Sequence, residues 1–149
     1  MDKTILLQQL RTAKSAHIQW RARAQAMVNG LALDENAVPV LHTDCKFGKW
    51  YYGPGQMLNH LPAFNEIDEI HEKLHLTYME IFKCLFGDDD RSKLSKVFGS
   101  AKKHEASKLK KAASLLPVLV DISKEMLATI EILEAQVRAM PEEELKKLA

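Results

Sequence analysis

Apolar residues recur along the first thirty positions at alternating steps of four and three: Leu6, Leu10, Ala13, His17, Trp20, Ala24, Met27 and Leu31. That spacing puts them on one face of a helix of about seven turns and predicts a bundle seam. Asp2 or Thr4 could cap its start, and Gly30 with the stretch LDENAVP ends it. A second seam follows Pro62, a residue suited to the first turn of a helix. It reads Phe64, Ile67, His71, Leu74, Tyr78, Ile81 and Leu85, with Gly87 as its stop. His17 and His71 therefore lie on buried stripes. His75 follows His71 by one turn, which stacks the two imidazoles of HEKLH on one face with Cβ atoms about 5–6 Å apart.

The C-terminal half reads as helix with less regular spacing. GDDDRSKLSKVFGS predicts a turn and a short helix, with Asp88 to Asp90 at its positive end. From about residue 105 to 139 a stripe runs through Leu109, Ala113, Leu116, Val120, Ser123, Leu127, Ile130, Glu134 and Val137, with Leu119, Met126 and Leu133 alongside. Glu134 interrupts this stripe, so that end is expected to be only partly covered. Pro117 should kink the helix, or break it, by removing one hydrogen bond and crowding the carbonyl of Ala113. Pro141 ends it, and EEELKKLA is expected to be a frayed tail. The predicted organisation is all-α. It is an antiparallel up-and-down bundle over residues 1–140 with three long helices, a short Cys-bearing helix over Asp44 to Tyr52 and a charged tail over 141–149. Thr43 or Asp44 would cap the short helix, and Gly53, Pro54 and Gly55 would stop it.

Composition narrows the class without changing this outline. The 149 residues, 46% hydrophobic and 28% charged, suit one soluble domain whose core needs no disulfide. No apolar run approaches the roughly 20 residues that cross a bilayer, and the N-terminus lacks the features of a signal peptide, so a cytoplasmic location is expected. A net charge of +1 argues against a dedicated nucleic-acid binder. Residues 88–111 carry eight Lys or Arg against four acids, while residues 62–80 carry five acids and one Lys. A solvated helix face explains this, with complementary faces between helices or protomers and an acidic partner as alternatives.

In a reducing compartment Cys45 and Cys84 stay free, which leaves thiol, metal ligand or nucleophile as their roles. A single seam histidine is usually a hydrogen-bonded core residue, and a single cysteine a small hydrophobe. Their convergence is different: burying His17, His71 and His75 without partners would cost several kcal/mol in total (~2 or more each), which a shared cation removes. Three imidazoles and a thiolate form a tetrahedral set suited to zinc, whereas calcium and magnesium want oxygen. His42, three residues before Cys45, might compete for the site; His60 and His104 read as surface residues, and Cys84 as a partly buried thiol. Asp68, three residues before His71, is the candidate to orient an imidazole, with Asp44 and Glu72 as alternatives. Trp20 and Trp50 would shield the metal. Gly48 permits a close backbone approach, and Gly53 with Gly55 the following turn.

These segments, AHIQW (16–20), CKFGKWYYGPG (45–55) and HEKLH (71–75), closely resemble the chemoreceptor zinc-binding (CZB) domain. The family pattern is a His with Trp three residues on, a Cys followed closely by Gly-x-Trp, and a His-x-x-x-His pair. His17 with Trp20, Cys45 with Gly48 and Trp50, and His71 with His75 match it over about residues 10–86. The resemblance implies a helical, often dimeric, cytoplasmic sensor that holds zinc through those three histidines and that cysteine. Such modules adjust chemoreceptors or diguanylate cyclases in response to zinc or oxidants. Residues 87–149 are too few for either output domain, so the chain is expected to be free-standing and to act through a partner, or else the output domain lies outside this sequence.

Three further expectations follow. The protein is a regulatory module; a zinc hydrolase with three ligands, a bound water and Glu72 as base is the alternative. It forms a homodimer through the long C-terminal helix. Cys45 is the oxidant-sensitive ligand, because zinc keeps it as the nucleophilic thiolate and it sits on a short Gly-flanked segment.

Overall fold

Asp2 starts the first helix by accepting the Ile5 amide on its side chain at 2.9 Å, and Gly30, with φ near +91°, lets the chain leave the other end. Between them α1 (Lys3–Val28) buries Leu6, Leu10, Ala13, His17, Trp20, Ala24 and Met27 on one face. Leu31 falls past the last turn and is exposed. In this computed structural model, residues 2–31, 33, 34, 37–87 and 100–148 are described, with side chains from 106 onward in the last stretch. The turn and short helix expected over 88–99, most of the basic stretch and the side chain of His104 lie outside the described residues.

After α1 come α2 (Lys46–Tyr51), a 3-10 turn (Pro54–Leu58), α3 (Pro62–Phe86), α4 (Ser100–Ala139) and α5 (Glu142–Leu148). Among the described residues there is no strand. The seam of α3 is the one read from sequence: Phe64, Ile67, His71, Leu74, Tyr78 and Ile81 are buried, and Leu85 half-buried. Large side chains such as Phe64 and Tyr78 each contribute about 1.5–3 kcal/mol by leaving water.

The helix α4 packs on both α1 and α3. Its contacts with α1 descend as α1 ascends: Lys3 Nζ donates to the Arg138 carbonyl, Lys14 faces Glu131 and Glu134, and His17 meets Ser123. These two helices are antiparallel. Contacts between α1 and α3 instead ascend together, with Trp20 against His75 and Met27 against Tyr78. The expected alternation of up and down therefore fails for this pair. The linker returns the chain to the starting end, pinned there by Tyr51, whose hydroxyl donates to the Phe64 carbonyl at 2.7 Å and whose ring stacks on Phe64 at 4.1 Å. A long linker relaxes the rule that consecutive helices run antiparallel, which holds for short loops.

Four local expectations need correction. The buried face of α4 is Leu119, Ile122, Ser123, Met126, Ile130, Leu133, Glu134 and Val137, while Leu109 and Ala113 are exposed. Apolar neighbours at 115–116, 119–120 and 126–127 make two stripes equally periodic, and only the packing partner selects one. Glu134 is itself buried, its Oε2 accepting from Arg138 at 3.0 Å, so that end of the stripe is covered. Pro117 neither breaks nor ends α4: it and Ala113 are both exposed, so water can satisfy the carbonyl that loses its partner. The expected frayed tail is α5, with acids in its first turn, lysines in its last and Leu145 fully buried.

Candidate metal centre

Cys45 is placed by its own helix. Neither Thr43 nor Asp44 caps α2; Cys45 does, its sulfur accepting the Gly48 amide at 3.2 Å. The same sulfur lies 3.5 Å from the His42 carbonyl and 3.3 Å from His71 Nε2. Gly48 is required for this fold-back, because a Cβ there would sit 1.8 Å from the His42 carbonyl oxygen. The close approach expected of Gly48 is thus a backbone-to-backbone contact.

One turn apart on α3, His71 and His75 have ring centroids separated by 4.8 Å. His75 Nδ1 lies 2.7 Å from the Val40 carbonyl, which can only accept, so Nδ1 carries the proton and Nε2 the lone pair. That Nε2 is buried and has no hydrogen-bond partner, and neither has His71 Nδ1. Cys45, His71 and His75 each offer a ligand atom within 4.8 Å of the others. Tetrahedral zinc with arms of about 2.3 Å to sulfur and 2.05 Å to nitrogen needs ligand atoms about 3.3–3.6 Å apart, so the sulfur and His71 Nε2 are already at binding separation. The donors present fit the ion.

Burial tunes these groups for a cation. It lowers His71 to about 2, with His75, His17 and His42 adding repulsion, and it lowers His75 to about 4 against the opposing Val40 bond. His17 is lowered to about 3, again mainly by burial. All three imidazoles are neutral near pH 7 and keep a lone pair. Burial pushes the Cys45 thiol up, against backbone amides that pull it down, so sulfur keeps its proton until a cation replaces it.

Residues 17–82 match the family model of the chemoreceptor zinc-binding domain. That match covers a little under half of the chain, and the segment is similar to the family over those residues. Comparison with curated proteins and with solved structures gives no match. The family is one of regulatory zinc-binding domains, and no helix among the described residues is long and apolar enough to cross a membrane.

The other residues expected at the site are placed as follows. His17 is buried beside the cluster, but its Nε2 lies 2.8 Å from Ser123 Oγ, and it is not within the span that joins the other three. Arg21 donates to the same oxygen at 3.3 Å. Trp20 covers His75 at 4.5 Å and donates its indole N–H to the Pro39 carbonyl. Trp50 packs on Phe47 and Phe64, away from direct imidazole contact. Asp68 does not orient an imidazole: its carboxylate accepts the Tyr52 hydroxyl, and the Val40 carbonyl does the orienting. A backbone carbonyl 35 residues away in sequence leaves no side-chain signal to read. His60 is exposed, and His42 is half-buried at the edge of the cluster.

Proposed function

We propose that the protein is a zinc-binding sensor or regulatory module in which Cys45, His71, His75 and His17 hold one zinc ion. The observation that carries this reading is His75, whose Nδ1 proton is committed to Val40 while its buried Nε2 lone pair has no partner. His17 completes the set by exchanging Ser123 for the metal, a short move for a side chain already stacked beside Trp20. Bound zinc would keep the Cys45 sulfur as a thiolate. Residues 1–140 then act as one sensing unit, and loss of the sulfur ligand under oxidant frees the short α2, a change that a partner can read.

The chemistry favours regulation over hydrolysis. Two grooves of about 340 and 420 Å³ run along α1 without touching Cys45, His71 or His75, and the cavity that His75 shares with Glu72 is only about 120 Å³, small for a substrate. Glu72, the base that a hydrolase would use, is exposed on α3. Exposed Leu109, Val118 and Ile132 on α4 support pairing of two copies through that helix. A chemoreceptor or diguanylate cyclase in the cytoplasm is the output partner that the family suggests, with chemotaxis as one setting.

Metal analysis of the purified chain tests this function. About one zinc per chain is expected, and cobalt substitution should give a thiolate charge-transfer band that peroxide abolishes while Cys84 remains reduced. A chain that binds no zinc, or a cobalt form without that band, overturns the assignment.

A further inference from the structure

Beside the proposed centre lies an imidazole that the ligand set does not use. His42 precedes Cys45 by three residues on the same loop, and its carbonyl accepts from the cysteine sulfur. Its ring stands 5.7 Å from that of His71, at 90°, and 6.3 Å from that of His75. Two imidazoles bound to one tetrahedral zinc have centroids about 5 Å apart, since each centroid is about 3.1 Å from the metal. The pair on α3 meets this at 4.8 Å, and His42 exceeds it by about 0.7 Å towards His71 and about 1.3 Å towards His75. His17, by contrast, makes its ring contacts with Trp20 and Phe47. His42 also lines a cavity of about 120 Å³ with Val40, Leu41, Glu72, His75, Leu76 and Met79. It thus has room to turn on the side of His75 that lines this cavity.

Resting on the zinc reading above, we propose that His42 is a reserve ligand: when Cys45 leaves the metal, the His42 imidazole takes its place and the ion stays in the protein. With a peroxide as oxidant, the thiolate sulfur attacks one peroxide oxygen, the S–O bond forms as the O–O bond breaks, and hydroxide departs, leaving a sulfenic acid. The zinc–sulfur bond is lost and a zinc–nitrogen bond to His42 replaces it, with no other redox change. A sensor built this way reports oxidation through release of α2 without discarding its metal. Two thiol molecules would restore the starting ligand set: the first condenses with the sulfenic acid to a mixed disulfide and water, and the second displaces the Cys45 thiolate as the pair leaves as a disulfide.

Zinc content and affinity in the full-length chain test the proposal, using His42→Ala, Cys45→Ala and the double variant. His42→Ala should bind zinc as the wild type does. Cys45→Ala should keep about one zinc with affinity weakened about 10–100-fold, the range for loss of a supporting interaction and not of the whole site. The double variant should lose at least a further tenfold. Equal affinities in Cys45→Ala and the double variant overturn the proposal. Should Cys45→Ala fail to fold, the wild type and His42→Ala can be treated with hydrogen peroxide and zinc release followed with a chromogenic chelator. Faster release from His42→Ala is expected, and equal rates overturn the proposal. A wild type that binds no zinc removes the underlying reading itself, which separates that failure from failure of the His42 role.

Discussion

Two buried polar clusters in this molecule are built on opposite terms. Between α1 and α4, charged and polar groups answer one another: Glu134 accepts from Arg138 at 3.0 Å and lies 3.6 Å from Lys14, while Ser123 bonds both His17 and Arg21. Around Cys45 the ring nitrogens His71 Nδ1 and His75 Nε2 are buried and unpartnered; the unbonded atoms of the first cluster differ, Glu134 Oε1 lying 3.6 Å from the Lys14 ammonium and Arg21 Nε belonging to a guanidinium bonded through another nitrogen. A buried unsatisfied donor or acceptor costs about 1–3 kcal/mol. The first cluster can be understood as packing that fixes helix register. The second brings a thiol and two buried ring nitrogens together with no partner for those nitrogens in the fold, and its donors fit zinc.

The largest expected effect separates the two clusters directly. His75→Ala should take zinc from about one per chain to a trace, because it removes the one ligand whose tautomer is already set for metal. Glu134→Gln should leave zinc content unchanged, since no metal-site atom contacts it. Elemental analysis of both proteins after dialysis decides; loss of zinc from Glu134→Gln would break the comparison.

Next is the scaffold under Cys45. Gly48→Ala drives a Cβ to 1.8 Å from the His42 carbonyl oxygen, which is backbone and cannot rotate away. The loop must move and carry the sulfur with it, at a cost of about 3 kcal/mol or more. Denaturant melting should show that loss, together with weaker zinc binding. Gly30→Ala is the control: nothing lies within 4 Å, so only the positive φ is strained, at about 1–2 kcal/mol, and zinc binding should persist.

The division between what sequence reveals and what it hides follows the same line. Side chains at helical spacing announce themselves, so the seams of α1 and α3 and their ends were legible from residue type; of the four residues expected to converge, Cys45, His71 and His75 do so, while His17 is bonded to Ser123 beside them. Contacts made by backbone were not. The Val40 carbonyl that orients His75 replaces the acid expected in that role, because any residue type supplies a carbonyl. Cys45 as its own cap was missed because cysteine is a rare cap, and Ser, Thr, Asp and Asn are preferred. Helix direction escaped too. Periodicity fixes which face is buried and says nothing of whether a long linker returns the chain to where it began.

Acid should expose the cost of keeping the metal-site imidazoles neutral. In the unfolded chain each histidine takes a proton below its ordinary value near 6.5. In the folded metal-free protein the values fall to about 4 for His75, 3 for His17 and 2 for His71. Below pH 6.5 the unfolded state therefore binds more protons, and stability falls as pH falls, by up to about 1.4 kcal/mol per pH unit for each histidine. The loss continues until each group protonates in the folded state. Urea midpoints of the metal-free protein from pH 7 to 4.5 should show this slope, and His71→Leu should flatten it by about one histidine's share. A pH-independent midpoint would mean that these imidazoles open to water without metal.

The smallest effect belongs to the α1–α4 cluster. Glu134 is buried at 6% exposure, and its partners Lys14 and Arg138 are progressively more exposed, at 24% and 52%. Its attraction to them is offset by the cost of removing the carboxylate from water, so an apolar residue of similar size should serve almost as well. Glu134→Leu is expected to change stability by no more than about 1 kcal/mol in either direction, because Arg138 can return to solvent and leaves no charge stranded. Arg138→Ala should cost more than Glu134→Leu, since it leaves the buried Oε2 without its only short hydrogen bond. Chemical denaturation of the two variants gives the order. If Glu134→Leu proved the more damaging, the α1–α4 cluster would be supplying net binding energy between the helices, and its satisfied bonds would mark strength as well as register.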